Sequence, residues 1–287
     1  MTGDQVEPTP YEKQILQEIH AWRQRQPGPW GRVVARANKE VRKVTDLAFK
    51  VPGVQWTVDN VAAGLLRVTN ELVQDTVWQE SIYAAYRRQG HPVKDAKDIH
   101  TLGLRAIEDT LEGADIKYRA LTGVQGVAAG AAGIAGLIPD IVGLVALNLR
   151  AAGEYATYYG FDMTEERERW FALHILDAEA QYTATNDGAE GRAQVGEVSR
   201  ALANRYTKDT VRQVAMSVSV RGIARTLGRR LTLIKLGQSV PLAGALIGGG
   251  VNVLYTQRVC TAALHLYRER RLMERYPQSM LKRYHAS

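Results

Sequence analysis

Apolar residues recur three and four positions apart over most of the chain, and hardly anywhere do they alternate singly with polar ones. The first spacing lays an apolar stripe along a helix, whereas alternation would mark a half-buried strand. Tyr11, Ile15, Ile19 and Trp22 carry the first stripe, and Thr9-Pro10-Tyr11-Glu12 has the form of a capping box with proline in the first helical position. Pro27-Gly28-Pro29 closes that helix, because proline lacks an amide hydrogen and restricts the residue before it. A second helix is predicted from about Trp30 to Pro52-Gly53, a third towards Gln89-Gly90, and a shorter one from His91-Pro92 carrying Ile99, Leu102 and Ile107. Asp162 and Glu165 have capping-box spacing ahead of a helix through Trp170, Leu173 and Leu176 that ends near Asp187-Gly188. Helices over roughly 189–207 and 208–230 follow, and a last one is stopped by Pro277.

Two stretches break the amphipathic pattern. From Ala120 to Leu149 the one charge is Asp140, and Pro139 is expected to divide the run into a helix over Leu121–Ile138 and another from Pro139 to about Tyr159, capped by Gly160. A second charge-free run lies between Lys235 and Arg258 and contains Pro241 and Asn252. Gly126 and Gly130 in the first run, and Gly244 and Gly248 in the second, have the GxxxG spacing that lets helix backbones approach closely. The expected fold is therefore all-α, a compact multi-helix bundle with central Gly/Ala-rich buried helices. Its expected organisation is a flexible N-terminus over 1–9, one helical domain over 10–276 and a basic tail over 277–287.

Composition changes this picture in one respect. The 287 residues are 45% hydrophobic and 23% charged, which suits a globular chain with a sizeable core. The net charge of +7, however, is unevenly spread. Residues 1–200 hold 22 Lys/Arg against 27 Asp/Glu, whereas residues 201–287 hold 15 against Asp209, Glu269 and Glu274. A basic third on an acidic body suits anionic lipid or nucleic acid, or else an internal match between the two parts. The lone Cys260 and the lack of a basic-then-apolar leader in MTGDQVEPTP point to the cytoplasm, with peripheral attachment at the inner face of the membrane.

These residues resemble the EcsC family. The likeness lies in Tyr11-Glu12-Lys13…Trp22 followed by Pro27-Gly-Pro-Trp30, in Ile138-Pro139-Asp140-Ile141, in Leu149-Arg150…Ala156…Tyr159-Gly160, and in Pro241-Leu-Ala-Gly244-Ala-Leu-Ile-Gly248…Asn252. The resemblance covers roughly residues 11–270 and implies a helical, membrane-associated bacterial protein named from an operon with an ABC transporter. Such a transporter is thus an implied protein partner. No established activity comes with it, so function rests on the residues themselves.

Catalytic signatures are missing: there is no HExxH, no Cys/His zinc spacing, no phosphate loop, no GxGxxG and no GxSxG. No cofactor or metal is expected. Asp140, alone in its apolar run, is the most unusual ionisable group, and its place after Pro139 suits a carboxylate in the first turn of a helix. A hydrolase with a site near Asp140 and His174 is one alternative function, and a soluble protein-interaction scaffold is another. The leading expectation is a binding module that docks on anionic lipid through its basic third. Arg221, Arg225 and Arg229 share one helix face, with Arg230 and Lys235 close by and Arg270 and Arg271 further on. Tyr267, Leu272, Met273, Tyr276 and Met280 would lie on the interfacial side of that terminus. Nucleic acid is a lesser partner, since no known DNA-binding module is present.

Overall fold

A computed structural model describes residues 7–25, 54–71, 77–111, 117, 118, 120, 137–185, 188–203, 220–238, 250–281 and 284. The described backbone is helix, turn and loop, with no strand among the described residues. In chain order the helices are α1 (Pro10–Gln24), α2 (Val54–Glu71), α3 (Val77–Arg88), α4 (Ala96–Ile99), α5 (Leu104–Leu111) and α6 (Leu137–Tyr158). They continue as α7 (Glu166–Thr185), α8 (Gly188–Ala203), α9 (Val220–Gln238), α10 (Gly250–Arg275) and α11 (Gln278–Leu281). Helices α6, α7 and α10 pack pairwise on one another and form the centre. The side-by-side pair α2 and α9 lies against α6 and α7, α8 rests on α7 and α10, and α1 closes over α10.

The start of α1 follows the sequence. Thr9 Oγ1 accepts the Glu12 amide at 3.2 Å, and the Glu12 carboxylate accepts the Thr9 amide at 2.8 Å, so the capping box closes in both directions. Ile15, Leu16, Ile19 and Trp22 are buried behind it. Elsewhere local chemistry moves the boundaries. Pro139 does not open α6, which begins two residues earlier, because proline's missing donor costs nothing among the unpaired amides of a first turn. The shorter helix expected from His91-Pro92 starts instead behind Asp95, whose carboxylate takes the Lys97 and Asp98 amides at 2.8 and 3.2 Å, and Gly103 then separates α4 from α5. Asp162 gives its carboxylate to the Thr164 amide at 2.8 Å, forming a turn rather than a box with Glu165, so α7 starts at Glu166. Helix α9 runs past Arg230 to Gln238, which puts Lys235 on the same rod as Arg225 and Arg229.

Five expectations lie wholly or mostly outside the described residues: the helix from Trp30, most of the one over Leu121–Ile138, the first half of the one over 208–230, and the GxxxG pairs Gly126/Gly130 and Gly244/Gly248. At the far end of the chain, Met280 and Leu281 of α11 are buried, and so are Tyr267, Leu272 and Tyr276. These residues belong to the core, where α1, α7 and α8 cover α10, while Met273 is partly covered.

Helix α6 ends in a Schellman turn. The Phe161 amide donates to Ala156 O at 2.9 Å and the Gly160 amide to Thr157 O at 3.0 Å, with Gly160 at φ +87°. Gly90 ends α3 the same way, also at φ +87°. Their surroundings differ. A Cβ at Gly160 would stand 3.0 Å from Ala96 O and 3.1 Å from the His100 ring, whereas one at Gly90 would meet nothing within 4 Å. Gly90→Ala should therefore cost about 1–2 kcal/mol, the backbone penalty alone. Gly160→Ala should cost clearly more, and comparison of the two melting curves checks this; equal shifts would mean that the α4 loop yields freely.

Candidate functional site

Among the described residues of the basic third, most cations are turned inward. On α10, Arg268 lies side-on to Glu108 of α5, at 2.6 Å through Nε and 2.5 Å through one terminal nitrogen, and reaches Glu18 of α1 at 3.3 Å. Tyr11 and Tyr159 donate their hydroxyls to the same Glu108 carboxylate at 2.8 and 3.1 Å, so that carboxylate meets four donors. Arg270 forks onto Glu168 of α7 at 2.6 and 2.8 Å, with its guanidinium 4.0 Å from the Phe161 ring centre and 4.7 Å from that of Phe171. Burial alone would loosen the protons of Arg268 and Arg270. The facing carboxylates more than offset it, and both are held above the ordinary arginine range. Glu12 takes the Tyr276 hydroxyl at 2.9 Å and a nitrogen of Arg275 at 3.5 Å. Arg23 of α1 binds Glu269 in return. Such side-on pairs are strong hydrogen bonds, yet removing two charges from water offsets much of the gain, so their main effect is to fix which helix meets which.

The seven residues read from the sequence as lipid contacts divide accordingly. Arg230 binds Asp177 Oδ2 at 2.5 Å, Lys235 binds Asp140 Oδ2 at 2.6 Å, and Arg270 is spent on Glu168. Arg271 places one nitrogen on the carbonyls of His100 and Leu102 and the other 3.1 Å from His100 Nδ1. Arg230, Lys235 and Arg270 meet acidic residues of the first two-thirds, whereas Arg271 meets backbone carbonyls and an imidazole. Arg225 and Arg229 are exposed on α9, and the side chain of Arg221 lies outside the described residues.

Trp56 on α2, 63% exposed, is the one large apolar side chain open to solvent among the described residues. A Cβ at Gly228 of α9 would lie 3.1 Å from Val61 Cγ1 and 3.7 Å from Val58 O. Val58 is two residues from Trp56, and Gly228 is flanked by Arg225 and Arg229, so all three sit within about a helical turn of the α2–α9 contact. Asp59 is exposed on the same helix as Trp56 and accepts Gln55 Nε2 at 3.2 Å.

Asp140 and His174, the pair behind the hydrolase alternative, have separate partners. Asp140 is buried on its ion pair with Lys235, and its Oδ1 accepts no hydrogen bond. Its first-turn position holds, but Lys235 takes the place of a capping amide. His174 stands edge-on to Trp170 at 5.7 Å, and burial pushes its imidazole down to about 4, leaving it neutral at pH 7. Asp177, one turn on, is given to Arg230, and burial raises its carboxyl. Among the described residues no three of His, Cys, Asp and Glu come together to hold a metal. No described helix is long and apolar enough to cross a membrane.

Sequence reasoning singled out Glu12 and Asp140 for local roles and missed Glu108 and Glu168 as partners of the late arginines. Both interrupt an apolar helix face, and that interruption was the available signal. It also missed Asn148, whose amide donates to Leu144 O at 2.8 Å and to Thr256 Oγ1 at 3.1 Å, joining α6 to α10.

A family model described as the EcsC protein family matches residues 13–272. Among curated proteins, the chain is 28% identical over 184 residues to the uncharacterized protein YdbA of Bacillus subtilis, which is 64% of each chain. It is 25% identical over 178 residues to Protein EcsC of Bacillus subtilis, 62% of this chain and 69% of that one. The matched region thus spans a little under two thirds of YdbA. No solved structure matches the chain.

Proposed function

Because the chain belongs to the EcsC protein family, and because two helices packed on each other carry an exposed tryptophan and exposed arginines, we propose that it is a peripheral binding module docking on anionic phospholipid through the α2–α9 pair. The observation that carries this reading is Trp56 lying within about a turn of the contact that also brings Arg225 and Arg229. An amphipathic ring suits the headgroup boundary, and guanidinium groups near an anionic surface contribute about 1 kcal/mol each. Asp59 subtracts from that attraction, so the binding should be modest, reversible and sensitive to salt. The inward pairing of Arg268, Arg270 and Arg271 favours a narrow footprint over a basic tail laid flat on the bilayer.

Co-sedimentation with vesicles of phosphatidylglycerol and phosphatidylcholine tests the reading. The chain should bind vesicles rich in phosphatidylglycerol, release as salt rises, and ignore pure phosphatidylcholine. Neutralising both arginines (Arg225→Gln/Arg229→Gln) should weaken binding about thirtyfold, the equivalent of roughly 2 kcal/mol. Trp56→Ala should weaken it further, and the emission of Trp56 should shift to the blue on binding. If neither vesicle binds, the proposal fails and a protein surface becomes the partner to seek. If binding survives all three substitutions, the membrane is right and the face is wrong.

A further inference from the structure

Where the α4–α5 loop, the α6–α7 turn and the last turns of α10 meet, one imidazole stands between a donor and an acceptor. His100 Nε2 lies 2.9 Å from Gly160 O, and a carbonyl oxygen can only accept, so Nε2 carries a proton. His100 Nδ1 lies 3.1 Å from a nitrogen of Arg271, which can only donate, and 3.2 Å from a carboxylate oxygen of Glu274, which can only accept. Both groups cannot be satisfied at once. A neutral ring accepts from Arg271 at Nδ1, and a protonated ring donates from Nδ1 to Glu274.

We propose that His100 is a proton-operated tether: neutral, it ties the α4–α5 loop to α10 through Arg271; protonated, it exchanges that tie for Glu274. The two arrangements are close in geometry, because Arg271 and Glu274 are one turn apart on the same helix. Arg271 does not come loose when it loses the ring. Its other nitrogen still holds the carbonyls of His100 and Leu102, so the exchange is local. The side chains of His100 and Glu274 are 34% and 24% exposed, enough for solvent protons to reach them.

The charged surroundings are mixed. Glu274 also feels Arg270 and Arg271 on α10, and Arg271 feels Arg275 on α10, Glu12 on α1 and Tyr86 on α3. Burial raises the Glu274 carboxyl, but its hydrogen bond to His100 and the neighbouring positive charges outweigh that and leave it below the ordinary carboxyl range, which fits an ionised carboxylate that accepts a hydrogen bond from the ring. Phe161 faces the ring edge-on at 6.0 Å and adds no charge. The bond from Nε2 to Gly160 O serves both arrangements, so the ring shifts its allegiance rather than its place.

The test is imidazole nitrogen NMR on the full chain from pH 8 to pH 5, with the His100 signal assigned by its loss in His100→Gln. The expected result is the Nε2–H tautomer at pH 8 and, in Glu274→Gln, a titration midpoint at least half a pH unit lower than in the wild type. Amide exchange over 96–104, corrected for intrinsic rate, should change between pH 8 and pH 5.5 in the wild type and lose that change in Glu274→Gln. Glu274 is partly exposed and its glutamine variant keeps the shape, so the fold is retained. An Nδ1–H tautomer at pH 8, or a midpoint that Glu274→Gln leaves in place, would overturn the proposal.

Discussion

Arg270→Met is expected to lower the melting temperature by on the order of 10 °C. Arg270 and Glu168 are 3% and 1% exposed and bind through two parallel hydrogen bonds. Removing the guanidinium empties the space beside Phe161, Phe171 and Tyr267 and leaves the buried Glu168 carboxylate to the more exposed Arg167 at 3.5 Å. Breaking one member of such a pair costs about 3–5 kcal/mol, and each kcal/mol lowers the midpoint by roughly 2–4 °C in a chain of this size. The double variant Glu168→Leu/Arg270→Met should recover most of that loss, because two apolar side chains need no desolvation offset and fit the same aromatic shell. Thermal melts of the wild type, the single and the double variant check both statements. A double variant as unstable as the single one would mean that the pair stabilises in its own right.

The chain is also expected to lose stability as pH falls from 6.5 towards 5. Burial pushes the imidazole of His174 down to about 4 and, together with Arg268, Arg192 and Arg23, that of His265 to about 3. Both folded values lie below the ordinary value of 6.5, so the unfolded chain takes up these protons first. The stabilisation is therefore present in full above 6.5 and lost as pH drops through the window beneath it, at about 1.4 kcal/mol per histidine per pH unit. Asp177, Glu179 and Glu269, raised by burial, work in the opposite sense from their ordinary carboxyl values upward and reduce the slope wherever the two windows overlap. Denaturant unfolding at several pH values should show the fall. His174→Phe should remove about half of the slope, and a slope unchanged in that variant would exclude His174 as a source.

How far the sequence led can be argued from a few residues. Thr9 with Glu12, Gly160 and Pro277 are local signals that act within a turn of the backbone, and each marks an end the helices respect. Asp162 misled for a local reason as well: its carboxylate had two amides in reach and took the nearer one. The charge pattern was legible in sum but not in direction. An excess of arginine after residue 200 reads equally as a surface or as the missing half of an acidic interior, since each partner is far away in the chain. Tyr267, Leu272 and Tyr276 read as interfacial because they lie among arginines, but what covers them on α10 is a tertiary fact. Trp56, by contrast, sits among apolar residues in a helical stripe, and only the packing of α2 on α9 reveals that it is left outside.

The long reach of the α10 arginines has a consequence for the order in which the molecule is made. Glu12 waits for Arg275 across 263 residues, Glu18 for Arg268 across 250, and Glu108 for Arg268 across 160. At a synthesis rate of 5–20 residues per second, the first of these carboxylates spends roughly 13–50 s on the ribosome with no counter-charge available. Solvated carboxylates of that kind resist premature collapse, and a message cut short before residue 250 would leave them permanently unmatched. Among the described helices, α1 is made before the others and gains these partners after them.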